Sequence, residues 1–322
     1  MRFVVEAWAP EYGSPAEEQG PGAAPDAVDA SVEVALRAWA PRAPGPGTVA
    51  PGVVAFVDGV RRVDARVWLT DPNGRSRQGI CATYAAGVVT CQGARAEVLG
   101  ALIRRSVFAP ADGAGPIHTA HGTYRHVPVP TDDPDRLAIA LQDAMAELEH
   151  RVSAETGTAS LAHQKRGLLV VDGPLRERIR LPKAVGYVKT HRVSYLPAEV
   201  EGVVARLAAG ERTPLFLIGG RFTRWSWYLR LPGPVGHPWA GIIRGEASAD
   251  LPVADAAALA DRLALTLPRF ASVPHKDPRA PQNLYPIAGL ERELRRRLGD
   301  PTLLLRSLRA AASVPEGVGV GA

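Results

Sequence analysis

The sequence predicts an α/β protein in which a mixed sheet of three antiparallel strands followed by parallel strands is flanked by helices. Residues 53–58 (VVAFVD) form a short apolar run rich in β-branched side chains, and residues 60–69 alternate as a hairpin partner would. From Asp133 the apolar spacing becomes helical, and residues 167–172 (GLLVVD) return to a continuous apolar strand. This element order is that of the ribonuclease H-like architecture.

The other elements follow from the same periodicities. A third strand covers ICATYAAGVVTC, and residues 94–106 carry apolar side chains at helical spacing, which predicts a helix. The clearest helix begins at Asp133 with Pro134 at its first position and extends to Gly157. Further helices are expected at 197–210, 254–267 and 286–298, and further strands at 118–129, 224–231 and 239–246.

Composition narrows the class of protein. The chain has 322 residues, 46% of them hydrophobic, which is enough for one large core or two modest ones. The net charge of +5 permits a polyanionic partner without requiring one. Two cysteines cannot form a disulfide scaffold, and the N-terminal residues lack a signal-peptide core, so a cytoplasmic protein is expected. No apolar run reaches the roughly 18 residues of a membrane helix.

The chain is expected to have three parts. Residues 1–50 are rich in Pro, Gly and Ala and are expected to be partly flexible. Residues 51–312 carry the periodic elements and form the predicted folded domain. Residues 313–322 lack periodicity and bulky side chains and are expected to be disordered.

An internal near-repeat carries most of the chemical information. Asp58-Gly59 and Asp172-Gly173 each follow one of the most apolar strands. Asp-Gly is also a common turn dipeptide, which is the plainer interpretation of either copy. If the two strands are neighbours in one sheet, their carboxylates converge at one edge, as a hard divalent cation requires.

Further carboxylates lie on the helix that leads into the second strand. Glu147 and Glu149 flank the apolar Leu148, so each is at the border of the buried face. Without the aspartate pair, an ordinary solvated helix face would be the better explanation of both residues. Weaker candidates of the same kind are Asp143, Glu97 and Glu246.

Four segments taken together resemble the NurA nucleases: VVAFVDG, the Glu-bearing helix, LLVVDGPL and KAVGYVKTHRVSYL. The resemblance covers roughly residues 50 to 300 and implies a ribonuclease H-like fold that binds Mn²⁺ (or Mg²⁺) and cuts DNA. It implies Asp58, Asp172 and either Glu147 or Glu149 as catalytic metal ligands, with Glu147 favoured. It also implies a homodimer that works with a hexameric HerA-type ATPase in double-strand break end processing or phage defence.

The sequence departs from the NurA pattern at two places. Pro174 stands where the family usually has Ser, which is acceptable at the start of a helix. Near the C-terminus, Glu291 and Arg292 stand where the family typically has His, so an auxiliary histidine is in doubt. His275 is nearby in sequence, but a lone histidine in a loop is usually solvated.

Basic and aromatic residues suggest how DNA would be bound. The segment after Asp172 is basic, and such side chains neutralise phosphates without reading sequence. The predicted DNA-binding residues are Arg61, Arg62, Lys183, Lys189 and Arg192, with Arg176, Arg178, Arg180 and His191 also in the basic segment. Trp225, Trp227 and Tyr228 would either stack on bases or, the favoured reading, pack into the core.

The leading hypothesis is a metal-dependent DNA nuclease, acting as a single-strand endonuclease and an end-directed exonuclease. The alternative is a non-catalytic nucleic-acid-binding or scaffold protein on the same fold. A different ribonuclease H-like enzyme, such as an RNase or a resolvase, is a third possibility.

Overall fold

A computed structural model describes residues 27–70, 73–110, 115–163, 167–181, 183–191, 193–233, 237 and 239–313. The strands are β1 (Val28–Asp29), β2 (Val54–Thr70), β3 (Ser76–Gln92), β4 (Arg95–Ala109), β5 (Ile117–Thr119), β6 (Gly122–Pro128), β7 (Leu168–Asp172), β8 (Ala184–Val188), β9 (Phe216–Ile218), β10 (Arg224–Arg230) and β11 (Ile242–Ser248). The α-helices are α1 (Pro134–Val152), α2 (Thr158–Ser160), α3 (Ala198–Arg206), α4 (Val253–Thr266), α5 (Tyr285–Arg297) and α6 (Pro301–Ala312). A π-helical stretch at Ser153–Gly157 links α1 to α2, and 3₁₀ turns lie at Leu36–Ala38, Arg176–Arg180 and Leu267–Phe270.

The chain divides into two compact units. The first comprises the described residues within 27–57, 89–97 and 153–289, and the second comprises those within 58–88, 98–152 and 290–313. Each unit has helices and strands, and β2, β3, β4 and α5 cross the boundary along the chain.

The strands of the first unit follow the order β1-β9-β10-β11-β8-β7-β2. Strands β2, β7 and β8 are parallel, whereas β8 to β11, β11 to β10, β10 to β9 and β9 to β1 are antiparallel. Helix α3 packs Val200, Val203 and Val204 against Phe216 and Tyr228, and the two aromatic rings stack at 5.7 Å. Helix α4 lies against β10 and β11.

The second unit contains the order β2-β3-β4-β6-β5. Strands β2, β3 and β4 are neighbours joined by a few residues each, so they are antiparallel, because a parallel pair needs a connection of a dozen or more residues. Strand β6 then adds parallel to β4. The sequence-based prediction of a mixed sheet with three antiparallel strands followed by parallel ones is confirmed.

Two predicted elements were wrong. Residues 54–70 form one strand of 17 residues, so Asp58-Gly59 lies within a strand and is not the turn of a hairpin. Residues 95–109 form the strand β4, not a helix, because Val98, Leu99, Leu102 and Ile103 belong to a nearly continuous apolar run whose spacing fits both structures. The single strand expected at 118–129 is two antiparallel strands, β5 and β6. The remaining helix and strand predictions agree with the structure to within a few residues, and β1, β8, β9 and α6 were not predicted.

Helix α1 begins where the sequence predicts, and its buried face matches the apolar periodicity of the sequence. It begins at Pro134, and the side chain of Asp133 accepts hydrogen bonds from the backbone N–H groups of Asp135 and Arg136 at 3.0 Å each. Its buried apolar residues are Leu137, Leu141, Met145, Leu148 and Val152, which recur at the three- and four-residue spacing of one helix face. No helix in the described ranges combines the length and apolar character that crossing a bilayer requires.

Ion pairs tie residues near the start of the first unit to its body. Arg212, of which 1% is exposed, donates to both carboxylate oxygens of Glu33 at 2.9 and 3.0 Å and to Asp261 at 2.6 Å. Trp39 is buried and donates to the carbonyl of Ala30 at 2.7 Å. These contacts involve residues of the predicted flexible segment 1–50, of which 1–26 lie outside the described residues. The predicted tail lies outside them as well, apart from Ser313.

Candidate metal centre

Strand pairing brings two aspartates side by side. Strands β2 and β7 are parallel, and Val57 is the register partner of Val171. Asp58 and Asp172 directly follow these two residues in the chain. Asp58 is buried, with 7% of its surface exposed, and its Oδ1 accepts a hydrogen bond from the N–H of Gly59 at 2.8 Å. The convergence that the near-repeat predicts therefore follows from the register of neighbouring strands.

A lysine holds the second aspartate. Nζ of Lys189, just beyond the end of β8, lies 2.6 Å from Oδ2 of Asp172, and the side chains are 11% and 13% exposed. The same Nζ lies 3.3 Å from Oδ1 of Asn283. Asn283 is buried and donates to Oδ2 of Asp277 at 2.7 Å. The ammonium group of Lys189 thus lies between the carboxylate of Asp172 and the amide oxygen of Asn283, and Asp277 holds that amide in place.

The backbone after Asp172 is also fixed. Gly173 has a φ of +95°, which favours glycine, and its N–H donates to the carbonyl of Tyr187 at 2.8 Å. The N–H of Leu175 donates to Oε2 of Glu246 at 2.9 Å. The hydroxyl of Tyr187 donates to the carbonyl of Gln282 at 2.6 Å, and burial followed by the charge of Asp172 raises the pKa of this tyrosine, so the hydroxyl stays protonated.

Glu246 is the centre of a buried ion cluster in the first unit. Its Oε1 accepts from Arg224 at 2.9 Å and from Arg244 at 2.7 Å. Burial alone would raise the pKa of Glu246, but the charges of the two arginines and the N–H of Leu175 outweigh burial and lower it. Among the candidate carboxylates, Glu246 therefore supports the loop after Asp172.

A third carboxylate joins the two aspartates. One oxygen from each of Asp58, Asp172 and Glu291 lies within 4.8 Å of the other two. Glu291 belongs to α5, which begins directly after Asn283 and Leu284, and is half-buried like Asp172. Three carboxylate oxygens at this spacing are the donor set that a hard divalent cation prefers.

The two glutamates of α1 occupy different environments. Glu147, the residue favoured from the sequence, is exposed and is not part of the three-carboxylate group, because it faces away from the buried side of the helix. Glu149 is buried, with 7% of its surface exposed, and lies against Gly59. Asp143 is exposed on the same helix, and Glu97 is exposed on β4, paired with Arg95 at 2.8 Å.

The predicted DNA-binding residues are spread over the structure. Arg61 is exposed on β2, but Arg62 pairs with Asp64 at 2.8 Å and donates to the carbonyl of Gly299 at 2.9 Å. Arg192 lies outside the described residues. In the basic segment, Arg176 and Arg180 are exposed, whereas Arg178 is buried and donates to the carbonyl of Pro174 at 3.1 Å.

Lys183 and Lys189 lie at opposite ends of β8 and are not brought together. The intervening strand places them roughly 20 Å apart along its axis. Nζ of Lys183 donates to the carbonyl of Leu161 at 3.0 Å, and the residue lines a cavity of about 460 Å³ together with Arg180 and Arg262. Lys189 is therefore the lysine that contacts Asp172.

Most of the aromatic and histidine candidates pack in the protein interior. Trp227 and Tyr228 are buried, and the indole N–H of the half-buried Trp225 donates to the carbonyl of Leu251 at 2.9 Å, so the packing interpretation is correct for these side chains. His191 is buried with Nε2 3.0 Å from the carbonyl of Ile242, and burial lowers its pKa to about 4. His275 is exposed.

Comparison with known proteins identifies the fold. A scan against protein families and a search of curated proteins found no match to this sequence. Among solved structures, the NurA nuclease from Sulfolobus solfataricus matches with a TM-score of 0.50, covering 84% of this chain and 88% of its own. This chain has the NurA fold. The sequence identity is 10%, so the NurA fold is what the match establishes, and it confirms the structural side of the resemblance stated from the motifs.

Sequence reasoning did not select Glu291 or the group that holds Lys189. The sequence indicated Glu291 only as a departure from the NurA pattern, because a glutamate on an amphipathic helix is ordinary. Asn283 and Asp277 lie in the turns before α5, where polar residues are ordinary, so their local sequence carries no signal.

Proposed function

We propose that this protein is a divalent-metal-dependent DNA nuclease. The observation that carries the proposal is the group of three carboxylates, Asp58, Asp172 and Glu291, whose oxygens lie within 4.8 Å of one another. Two of the three directly follow paired positions of neighbouring parallel strands in a NurA fold. The fold and the donor set support the same chemistry independently.

The residues present fit Mn²⁺ or Mg²⁺. Asp58, Asp172 and Glu291 would hold the cation. Buried Glu149, beside Gly59, would take the role that was expected of Glu147 from the sequence, either as a further ligand or as a nearby negative charge. When bound, the metal lowers the pKa of a water molecule and stabilises the charge that develops on the phosphate oxygens. Before the cation binds, the chain itself fixes the carboxylates, through the β2–β7 ladder for Asp58 and through Lys189 for Asp172.

The DNA backbone would be bound by exposed cations that follow the two aspartates in the chain. Arg61 follows Asp58 by three residues on β2, and Arg176 and Arg180 follow Asp172. We include Arg192 on the sequence argument alone. Such side chains bind phosphates of any sequence, so we expect nuclease activity on single strands and ends without base preference.

The resemblance to NurA nucleases also suggests an oligomeric state, a partner and a cellular role. We propose that the protein forms a homodimer in the cytoplasm and that a hexameric HerA-type ATPase delivers DNA to it. In that assembly it would process double-strand break ends or act in phage defence. These assignments rest on the resemblance and on the fold.

Cleavage of end-labelled DNA tests the proposal. Wild type is expected to cut single- and double-stranded DNA in Mn²⁺ or Mg²⁺ and not in EDTA, and Asp58→Asn, Asp172→Asn and Glu291→Gln should each abolish cutting. Asp143→Asn, an exposed carboxylate on α1, is the matched control and should cut normally. Circular dichroism checks that each variant folds.

One outcome would favour the alternative function. A folded wild-type protein that binds DNA but does not cut it, even with a cognate HerA-type ATPase, would be a nucleic-acid-binding scaffold. Cleavage of RNA in preference to DNA would instead indicate a different enzyme of the ribonuclease H-like class.

A further inference from the structure

Lys189 forms an ion pair with Asp172, one of the three carboxylates of the candidate metal centre. Its Nζ lies 2.6 Å from Oδ2 of Asp172, and both side chains are nearly buried. At that depth water screens the charges weakly, so the ammonium group offsets much of the negative charge of this carboxylate. A divalent cation that binds Asp172 must therefore share the carboxylate with a positive charge or displace it.

The ammonium group is held from a second side. Asn283 accepts from Nζ at 3.3 Å through Oδ1, and its Nδ2 donates to Asp277 at 2.7 Å. Asp277 is fixed in turn by the N–H of Arg279, which donates to Oδ1 at 2.8 Å. The hydrogen bond from Nδ2 to Asp277 keeps the amide oxygen of Asn283 turned toward Lys189. This oxygen can therefore accept from Lys189 when the contact with Asp172 loosens.

A second hydrogen bond attaches the residue before Asn283 to β8, close to Lys189. The hydroxyl of Tyr187 donates to the carbonyl of Gln282, the residue before Asn283. Tyr187 and Lys189 are two residues apart along the chain, so both point to the same side of an extended strand. Asn283 consequently stays close to Lys189 whichever group the ammonium contacts.

We infer that Lys189 is a positioning residue that substitutes for the divalent cation at Asp172 in the metal-free protein and weakens cation binding. The inference rests on the proposed function, since it takes Asp172 as a metal ligand. Binding of the cation shifts Lys189 from Asp172 toward Asn283. The pair therefore sets the metal concentration at which the site fills and keeps Asp172 ordered below that concentration.

Metal affinity, not cleavage, tests this role. Mn²⁺ binding is measured by isothermal titration calorimetry and by the loss of the free Mn²⁺ signal in electron paramagnetic resonance. Lys189→Met, which keeps the length of the side chain and removes its charge, should bind Mn²⁺ about tenfold more tightly than wild type. Lys189→Arg keeps the charge and should bind close to wild type. Lys183→Met, at the other end of β8, is the matched control and should leave the affinity unchanged.

Thermal unfolding gives a second measure. In EDTA, Lys189→Met should melt below wild type, because the nearly buried Asp172 carboxylate loses its counter-charge. Saturating Mn²⁺ should restore it, so the metal-induced rise in Tm should be larger in the variant than in wild type. Lys189→Gln repeats the comparison if Lys189→Met does not fold.

The outcomes separate this inference from the proposed function. If wild type binds Mn²⁺, Asp172→Asn abolishes binding, and the uncharged Lys189 variants bind no more tightly than wild type, the inference is wrong and the metal site remains. If wild type and every Lys189 variant bind no Mn²⁺, both the inference and the proposed metal site are wrong. Tighter binding in Lys189→Met and Lys189→Gln, but not in Lys189→Arg or Lys183→Met, supports the inference.

Discussion

Oε1 of Glu149 lies against the backbone of Gly59, so close that a Cβ built on this glycine would approach it to 2.5 Å. Cγ of Glu149 and Cγ of Met145 lie 3.1 Å from the same point. The end of α1 therefore packs directly on the residue after Asp58, and glycine there leaves room for Glu149 and Met145, whereas the sequence had suggested a turn.

Gly59→Ala should destabilise the protein by about 1–3 kcal/mol, because the added methyl group forces Glu149 and Met145 away from β2. Urea unfolding followed by circular dichroism measures the change. Gly202→Ala, in α3 with open space around the position, should instead stabilise by about 0.5–1 kcal/mol. A Gly59→Ala protein as stable as wild type would contradict the close contact.

Glu149→Gln and Glu147→Gln should differ in their effect on cleavage. Glu149 is buried next to the residue that follows Asp58, so the loss of its charge should lower the metal-dependent cleavage rate roughly 10- to 100-fold. Glu147 is exposed, and its substitution should leave the rate unchanged. Initial rates on a labelled single strand in Mn²⁺ decide between them, and a larger loss in Glu147→Gln would restore the choice made from the sequence.

Glu246→Gln should destabilise the fold by about 3–5 kcal/mol, because it leaves Arg224 and Arg244 buried without their shared counter-charge. The N–H of Leu175 also loses its carboxylate acceptor, so hydrogen exchange at this amide should become faster relative to β11. Glu293→Gln, on the exposed face of α5, should leave the free energy of unfolding nearly unchanged. Unaltered exchange at Leu175 would mean that Glu246 does not hold the loop.

His191 should make stability depend on pH between 6.5 and 4. Burial lowers its pKa from 6.5 to about 4, so in this window the unfolded chain binds a proton that the folded protein does not. Stability is therefore full above pH 6.5 and falls by about 3 kcal/mol as the pH drops to 4. Unfolding titrations at pH 7 and pH 4.5 measure this slope, because carboxyl groups with lowered pKa values contribute mainly below that range.

The slope should disappear in one variant and persist in another. His191→Gln removes the titrating ring and should flatten the pH dependence, whereas His275→Gln alters an exposed side chain and should retain it. Equal slopes in wild type and His191→Gln would show that other groups cause the loss of stability.

The sequence predicted correctly those elements whose apolar residues have one clear spacing, either helical or that of a strand. Helix α1 and strand β7 were predicted because their apolar residues fit one structure well. Two similar apolar runs that end in Asp-Gly predicted that Asp58 and Asp172 converge if their strands are neighbours. Strand β4 was mistaken for a helix because consecutive apolar residues satisfy both periods, and its neighbours β3 and β6 decide between them. The turn expected at Asp58-Gly59 failed because a 17-residue strand overrides a two-residue preference.

The missed site residues depend on tertiary structure. Glu291 joins Asp58 and Asp172 through the path of α5, and the choice between Glu147 and Glu149 depends on which side of α1 faces β2. Lys189 and Asn283 meet across a long stretch of sequence. No property of the residues next to any of these positions reports such contacts.

Asp58 and Asp172 differ in the backbone that follows each of them. Asp58 is followed by twelve further residues of the same strand, β2, whereas Asp172 is the last residue of β7 and precedes a glycine with a φ of +95°. Asp58 is therefore held by extended backbone on both sides, whereas Asp172 is held by the turn that follows it and by Lys189. In crystals grown with and without Mn²⁺, the backbone of both aspartates should keep its coordinates, and the side chain of Lys189 should account for the difference. A cation at the proposed site would then replace one positive charge with another without moving the backbone of either aspartate.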